Sequence, residues 1–489
     1  MPHRLIVASN RGPVTYLPAP DGEKSWLTQR GGGGLVSAMS SLEFEGKQAL
    51  WICAAISDED RGALADGVSE PQVRMLDIDR EQFEAAYDEV SNSTLWFIHH
   101  MLFDLRFEPL FTHSFGRRWL DYQAYNAKFA EAIDEEAAQG ATVLIQDYHL
   151  ALVPSLLRMR RPDLKSAYFA HTPWAPPEYL SVLPREAMEQ LLVGVLGADH
   201  TGFHSHRWAK DFVECCVDLL GAQAWREGDR WMVRHHHRAT RVDVHPLGVD
   251  PELFLEGFAR IEVEAHRRRL HERYGERAVI ARVDRTEPSK NILRGLHAYR
   301  EFLRQRPEWH ERVVHFVLAY YSRQDLAAYQ SYTTSVRELC EEINAEFSTE
   351  TWEPIDLYLE ADMDLALAAY SIADVMVVNP VRDGMNLVAK EAPIVSNHVD
   401  HGLVLVLSRN AGAADELGEH ALLVNPFDIE EMAQMLHTAL LMDRDERRRR
   451  TYQMAQISSA LPPSAWVRRQ IDALTQDALL IEERSTQRL

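Results

Sequence analysis

The chain has 489 residues, a length that allows two to four domains. Its content of 46% hydrophobic and 26% charged residues is typical of a globular protein. Its formal net charge of −22 argues against nucleic acid or an anionic membrane as a partner. No apolar run approaches the roughly 20 residues that cross a bilayer. The first residues also lack the apolar core and cleavage site of a signal peptide, and we expect a cytoplasmic protein.

The cysteines and histidines follow no metal-binding or redox spacing. Adjacent Cys215 and Cys216 could bond each other only with strain, so we expect all four cysteines to be buried free thiols in a reducing compartment. Three consecutive histidines, 235–237, diverge along an extended chain and do not converge on an ion. The sequence therefore predicts neither a metal site nor a cofactor.

The N-terminal stretch pairs a strand with glycine-rich sequence and cations. Leu5 to Ala8 predicts a strand, and Arg11 lies in the loop after it. Arg30 is followed by four glycines that end at Gly34. Because such a run is costly in backbone entropy, we interpret it as a loop whose bare backbone closes over a phosphate, with Arg11 and Arg30 nearby.

Polar residues follow several predicted strands of the first half. Asp147 and His171 come directly after two apolar segments, at the ends where parallel sheets place ligand groups. Further predicted strands of this half include Ala49–Ala55, Leu95–Ile98, Thr142–Ile145 and Ala167–Ala170.

A domain boundary is predicted at residues 245–251, where two prolines and a glycine interrupt the pattern. Beyond it strands and helices start again, with a strand at Ala278–Val283. The predicted domains are residues 1–245 and 246–455, followed by a helical segment over 456–489.

The second half contains the residues of a diphosphate site. Arg285 and Lys290 lie on one loop after a strand, where two cations can stabilise the charge of a diphosphate leaving group. Later, the strand Val375–Val378 leads into a loop and then a helix from Leu387, whose first amides, with that of Asn386, would face an anion.

Two carboxylates flank this predicted anion site. Asp383 lies in the loop and Glu391 one turn into the helix. Since a carboxylate does not bind phosphate, both suit the hydroxyl groups of a nucleotide sugar, with the ribose at one end and the hexose at the other.

Ordered motifs over residues 4–426 resemble those of the trehalose-6-phosphate synthases, retaining glycosyltransferases of family 20. They read SNRGPV, QDYHLALVPSLLR, AHTPWAPPE and VRDGMNLVAKE, in chain order. Four glycines stand where the family usually has two, and Glu287 stands where the pattern Arg-x-Asp-x-x-Lys has Asp. A reading that starts this pattern at Arg282 has the wrong spacing. Residues 392–402 also depart from the family's version.

The resemblance implies an α/β protein of the GT-B class, with two Rossmann-like domains facing across a cleft and a C-terminal helix crossing back to the first. It also implies transfer of glucose from a nucleoside diphosphate glucose to glucose 6-phosphate, giving α,α-trehalose 6-phosphate. The implied catalytic residues are His171, Arg285, Lys290 and Asp383. The implied donor site consists of Gly34, His171, Arg285, Lys290, Asp383, Gly384, Met385, Asn386, Leu387, Val388 and Glu391. The implied acceptor site consists of Arg11, Tyr87, Trp96, Asp147 and Arg323.

Other functions remain open at this point. A related transferase could use a cyclitol phosphate or glycerol phosphate as acceptor, and a catalytically silent protein could sense sugar phosphates. The sequence leaves the donor base undetermined among uridine, guanosine and adenosine. It is compatible with a homo-oligomer.

Overall fold

The structure, a computed structural model, describes residues 2–19, 26–31, 43–44 and 47–486, with the side chains of 43–44, 47–48 and 476–486 left aside. The chain forms two compact units. One comprises Met1–Leu247 with Pro463–Leu489, and the other comprises Gly248–Pro462. Gly34, a predicted donor-site residue, lies outside the described residues.

The first unit contains a nine-stranded sheet in the order β11-β12-β13-β10-β9-β8-β1-β6-β7. Its strands pair in parallel except β12, which is antiparallel to both neighbours. The strands of this unit are β1 (His3–Ala8), β2 (Val14–Pro18), β3 (Trp26–Arg30), β4 (Glu43–Phe44), β5 (Lys47–Gln48), β6 (Leu50–Ala54), β7 (Val73–Leu76), β8 (Ala137–Gln146), β9 (Lys165–Ala170), β10 (His200–Phe203), β11 (Gln223–Glu227), β12 (Arg230–His235) and β13 (Arg238–Val244).

Helices cover this sheet and account for its almost wholly apolar central strands, which are buried on both faces. They are α1 (Asp58–Ala65), α2 (Arg80–Glu84), α3 (Trp96–His100), α4 (His113–Glu136), α5 (Val153–Arg160), α6 (Pro177–Leu180), α7 (Arg185–Leu196) and α8 (His206–Leu220).

The segment Ala85–Leu95 is a π-helix that continues into α3, so the strand predicted at Leu95–Ile98 is wrong. Hydroxyl groups stabilise its wide turns. Ser91 Oγ donates to the carbonyl of Ala86 at 2.7 Å, and Thr94 Oγ1 donates to that of Glu89 at 2.9 Å, each five residues back.

The second unit has a six-stranded parallel sheet in the order β16-β15-β14-β17-β18-β19. Its strands are β14 (Ala278–Arg285), β15 (Val313–Tyr320), β16 (Ile355–Tyr358), β17 (Val375–Val378), β18 (Val404–Ser408) and β19 (Leu422–Val424). Its helices are α9 (Pro251–Phe258), α10 (Ile261–Tyr274), α11 (Ile292–Gln305), α12 (Ala327–Phe347), α13 (Met363–Ile372), α14 (Val388–His398), α15 (Ala414–Leu417), α16 (Ile429–Leu441) and α17 (Arg444–Ser459).

The last helix, α18 (Pro463–Thr486), belongs to the first unit and packs on β8, β9 and β10. Its residue Trp466 is fully buried, with its ring 4.8 Å from that of Phe169 on β9. Within the described residues, no helix has the length and apolarity needed to cross a membrane.

Both sheets have the Rossmann strand order. In the first unit the strands β7-β6-β1-β8-β9-β10, and in the second the strands β16-β15-β14-β17-β18-β19, run in the order 3-2-1-4-5-6 when they are counted along the chain. In the first unit β13 adds a seventh parallel strand beside β10. The order reverses between β1 and β8 in the first unit and between β14 and β17 in the second. Ligands bind outside the carboxyl ends of the strands at such a reversal. The predicted residues Arg11 and Asp147 follow one pair of strands, and Arg285 and Asp383 lie at the ends of the other.

Candidate active site

In the second unit, Arg285 ends strand β14 with 39% of its side chain exposed. Its Nη1 lies 3.1 Å from Oε1 of the fully buried Glu287, which also accepts a hydrogen bond from Ser322 Oγ at 2.9 Å. Burial opposes the charge on Glu287. Attraction from Arg285, Arg323 and Lys290 nevertheless outweighs burial, and the pKa of Glu287 is lowered. A fixed anion therefore holds one edge of the Arg285 guanidinium.

Arg282, three residues earlier on the same strand, has the opposite environment. It is fully buried and pairs with Asp284 at 3.0 Å, and it donates to the carbonyl of Lys290 at 3.2 Å. Burial raises the pKa of Asp284 to about 6. Arg282 thus supports the loop from below, whereas Arg285 is accessible to a ligand.

Lys290 and Asp383, predicted separately for the donor, are in direct contact. Lys290 Nζ lies 2.6 Å from Asp383 Oδ2, and Asn386 Nδ2 donates to the same oxygen at 3.1 Å. Burial alone would lower the pKa of Lys290, but Asp383 and Asp284 raise it above its ordinary value. The cation, the carboxylate and the amide therefore form one polar cluster at the end of β17.

The backbone of this loop is held by the next one. Asp383 N–H donates to the Asn410 carbonyl at 3.2 Å, and Gly412 N–H donates to the Asp383 carbonyl at 3.1 Å. A Cβ atom on Gly412 would lie 1.9 Å from the carbonyl oxygen of Gly384, so only glycine fits. Asn386 takes the left-handed conformation, with φ +70°, just before α14 begins at Val388.

Glu391 lies in the first turn of α14, where its Oε2 accepts a hydrogen bond from Tyr370 OH at 3.3 Å. Burial raises the pKa of Glu391 to about 7. The predicted donor residues Gly384, Met385, Leu387 and Val388 complete the segment between Asp383 and Glu391. The amides of Lys390 and Glu391 donate to the Leu387 carbonyl at 2.8 Å each, so the amides that a helix start offers to a ligand are those that precede Lys390.

Arg323, predicted for the acceptor phosphate, also lies in the second unit. It has φ +47°, and its Nη1 donates to Tyr329 OH at 2.8 Å. Its charge acts on both Arg285 and Glu287. The second unit therefore brings Arg285, Lys290 and Arg323 into one electrostatic neighbourhood.

In the first unit, the predicted acceptor residues gather after β8. Asp147 has φ +72° and its Oδ1 accepts a hydrogen bond from the backbone of His171 at 3.1 Å. Tyr87 stacks on His149, with ring centroids 5.6 Å apart, and Trp96 lies 5.9 Å from the ring of Tyr148. Trp96 is only 8% exposed, so most of its ring packs in the core and only a small part of the side chain is accessible.

Arg11 is exposed beyond the end of β1, on a loop fixed from beneath. Ser9 Oγ donates to the Arg11 carbonyl at 2.8 Å and accepts a hydrogen bond from Trp51 Nε1 at 2.7 Å. The guanidinium is therefore carried on an ordered turn next to the β1–β8 strand reversal.

His171 follows β9, and both of its ring nitrogens are engaged. Nε2 lies 2.9 Å from Gln146 Oε1, and Nδ1 lies 3.3 Å from Nε2 of His204. Burial lowers the pKa of His171 to about 4, so the ring is neutral at neutral pH. His204 and the ring of Trp466, 5.6 Å from that of His171, had no signal in the sequence because only tertiary packing brings them there.

A second buried cluster was also missed. His200, Asp243 and His245 place one nitrogen or oxygen atom each within 4.8 Å of one another, a grouping that could hold a metal ion by distance. Arg241 Nε lies 2.5 Å from Asp243 Oδ2, so a guanidinium already supplies positive charge to that carboxylate. The spacing 200, 243 and 245 crosses two strands and resembles no sequence motif.

The sequence matches glycosyltransferase family 20 over residues 3–476. The chain belongs to that family. It is 36% identical over 452 residues to an alpha,alpha-trehalose-phosphate synthase [UDP-forming] of Arabidopsis thaliana, covering 91% of this chain and 47% of the relative. The chain thus spans about half the length of that relative.

Solved structures show the same GT-B fold as this family 20 chain. A trehalose-6-phosphate protein of E. coli bound with UDP-2-fluoro glucose has a TM-score of 0.82 and 27% identity, with 97% of this chain and 99% of that chain covered. A UDP-forming synthase of Burkholderia xenovorans in complex with glucose-6-phosphate has a TM-score of 0.81 and 26% identity, with 96% and 100% covered.

Proposed function

We propose that this family 20 chain transfers glucose from a nucleoside diphosphate glucose to glucose 6-phosphate and forms α,α-trehalose 6-phosphate. One observation carries the proposal. Arg285 and the cluster of Lys290, Asp383 and Asn386 lie at the ends of β14 and β17, the two strands between which the Rossmann order reverses. Two cations beside a hydroxyl-binding carboxylate suit a diphosphate joined to a sugar.

In this proposal Arg285 and Lys290 hold the diphosphate of the donor, with the amides of Asn386 and Leu387. Asp383 then exchanges its contact with Lys290, now 2.6 Å, for hydroxyl groups of the donor hexose. Glu391 binds the ribose. The uridine base is favoured among the three possible bases because the Arabidopsis and Burkholderia relatives are named UDP-forming.

The acceptor residues follow from the same proposal. Arg11 and Arg323 bind the phosphate of glucose 6-phosphate, and Tyr87, Trp96 and Asp147 surround its sugar.

The four cysteines are free and buried, which fits a protein of the reducing cytoplasm.

Retention of configuration follows by a front-face path. His171 is a poor general base because its pKa is about 4 and its nitrogens are engaged. The departing diphosphate therefore accepts the proton of the attacking hydroxyl, while Arg285 and Lys290 stabilise the charge that develops on it.

The test is incubation of the purified chain with UDP-, GDP- or ADP-glucose, with and without glucose 6-phosphate. We expect nucleotide release that requires the acceptor, is fastest with UDP-glucose, and yields a disaccharide phosphate whose NMR couplings show two α linkages. The Asp383→Asn variant, of the same shape but without charge, is the matched control and should be nearly inactive. Nucleotide release independent of glucose 6-phosphate, or no release with any donor, would contradict the proposal.

A further inference from the structure

A chain of hydrogen bonds connects His171 to the C-terminal helix within the first unit. His171 Nδ1 lies 3.3 Å from His204 Nε2, and His204 Nδ1 lies 3.4 Å from the carbonyl oxygen of His245. The same carbonyl accepts a hydrogen bond from Trp466 Nε1 of α18 at 3.0 Å. This series of hydrogen bonds, here called the relay although no proton moves along it, thus connects the end of β9 to the last helix.

Packing fixes the rings of this relay. The His204 and Trp466 rings are stacked, with centroids 6.3 Å apart and planes at 30°, and Phe169 contacts His204 edge-on at 4.8 Å. Trp466 is fully buried and His204 is 3% exposed. Rotation of either ring would require the last helix to move, so the nitrogen atoms keep their partners.

The carbonyl at one end sets the direction of every bond. A carbonyl oxygen can only accept, so His204 must carry a proton on Nδ1. A neutral imidazole has one N–H, which leaves Nε2 of a neutral His204 as an acceptor. His171 must then donate from its own Nδ1.

This direction also decides how Gln146 faces His171. With its proton on Nδ1, His171 has a bare Nε2, which needs a donor. Gln146 Nε2 is buried and has no hydrogen-bond partner among the described residues. Rotating the Gln146 amide so that its oxygen and nitrogen exchange places turns that NH2 group toward His171 Nε2.

We propose that His204 is a positioning residue that, anchored to the last helix through the His245 carbonyl, holds His171 in the tautomer protonated on Nδ1. Its catalytic consequence rests on the proposed function, in which His171 lies beside the reacting bond. A His171 fixed in this way orients the end of β9 and Asp147, whose Oδ1 accepts a hydrogen bond from the His171 backbone. It does not transfer a proton.

The primary test is 15N NMR of the full chain labelled at histidine, recorded without substrates. The His171 signals are assigned by their loss in His171→Phe. We expect a protonated Nδ1 and a bare Nε2 in the natural protein. In His204→Phe, which cannot accept from Nδ1, the proton should move to Nε2 and bond the Gln146 oxygen. His237→Phe, at an exposed hairpin position of the same unit, is the matched control and should leave the tautomer unchanged.

Kinetics provide the second reading. His204→Phe should lower kcat by roughly tenfold, about 1.4 kcal/mol of barrier, and change the KM of either substrate much less. His204→Gln, whose amide oxygen can accept from His171 Nδ1, should restore part of kcat and the tautomer.

The outcomes separate the two proposals. A natural protein with His171 protonated on Nε2, or a folded His204→Phe with an unchanged tautomer, would overturn the positioning role whatever the activity. A tautomer that changes as expected in a chain without transferase activity would overturn the proposed function instead.

Discussion

In the proposed reaction, Arg285 contributes most to stabilising the charge that develops on the leaving diphosphate. Glu287 and Ser322 orient its guanidinium, and 39% of the side chain remains accessible. We expect Arg285→Ala to lower kcat by about 10² to 10³, the usual loss when one donor to a developing anion is removed. Steady-state kinetics with the donor and glucose 6-phosphate measure this. Arg268→Ala, on the exposed face of α10, is the matched control. Near-normal turnover of Arg285→Ala would refute its role.

Glu391 predicts a pH dependence of stability. Its pKa is raised from 4.5 to about 7 by burial, so its contribution to stability is fully present below the unfolded pKa and is lost as pH rises through 7. At pH 8, Glu391→Gln should therefore unfold at a higher denaturant concentration than the natural protein. The corresponding gain in the free energy of unfolding is up to about 3 kcal/mol. The two should converge near pH 4.

Urea unfolding at both pH values tests this, since other raised groups, such as Asp284, are common to both proteins. Glu256→Gln, at an exposed position of α9, is the control and should show no such divergence. A difference between Glu391→Gln and the natural protein that grows toward acid pH would show that the sign is wrong.

At the scale of residues, local sequence was informative where a site residue lies at the end of a strand or the start of a helix. Four site residues lie beside a strand or helix that the sequence pattern predicts, namely Arg285, Lys290, Asp383 and Glu391. The choice of Arg285 over Arg282 agrees with the structure, in which Arg285 is accessible and Arg282 is buried. The contact between Lys290 and Asp383 could not be predicted, because 93 residues separate them. The same holds for His204 and Trp466, which meet only through packing of the last helix.

At the scale of elements, the two adjoining loops after β17 and β18 behave as one support. Gly412→Ala would force a Cβ atom against the Gly384 carbonyl, at 1.9 Å, and displace the segment carrying Asp383 and Asn386. We expect the free energy of unfolding, measured by chemical denaturation, to fall by roughly 1–3 kcal/mol. Donor binding, measured by calorimetry, should be at least tenfold weaker. Gly116→Ala, with open space around its Cβ position in α4, should stay within about 1 kcal/mol.

Elements with simple periodicity were predicted well, and irregular ones were not. The strand Val375–Val378 has the predicted bounds because it is a short β-branched run ended by Pro380. Residues 95–98 have the apolar and aromatic content typical of a strand, yet Leu95 ends a π-helix and the other three residues open α3. Hydroxyl groups of Ser91 and Thr94, satisfied five residues back, stabilise turns that propensity alone does not indicate.

For the whole molecule, the excess of acidic residues sets the response to salt. With 74 acidic against 52 basic residues, net repulsion at pH 7 should exceed the small contribution of exposed ion pairs. We expect the melting temperature to rise between 0.05 and 1 M NaCl at pH 7, by roughly 2–4 °C for each kcal/mol of repulsion relieved. Near the isoelectric point of about 5.5 this rise should vanish. A melting temperature that falls with salt at pH 7 would mean that ion pairs dominate.

The bond between Lys290 and Asp383 has a consequence for how the proposed reaction ends. When the donor diphosphate pairs with the Lys290 ammonium group, Asp383 loses its counterion. Hydrogen bonds from the hexose hydroxyls then compensate Asp383 for that loss. After glucose has been transferred, the nucleoside diphosphate product still pairs with Lys290 but has no hexose hydroxyls that could donate hydrogen bonds to Asp383. The aspartate then competes for its old partner, so the site discriminates against its own product and hastens turnover.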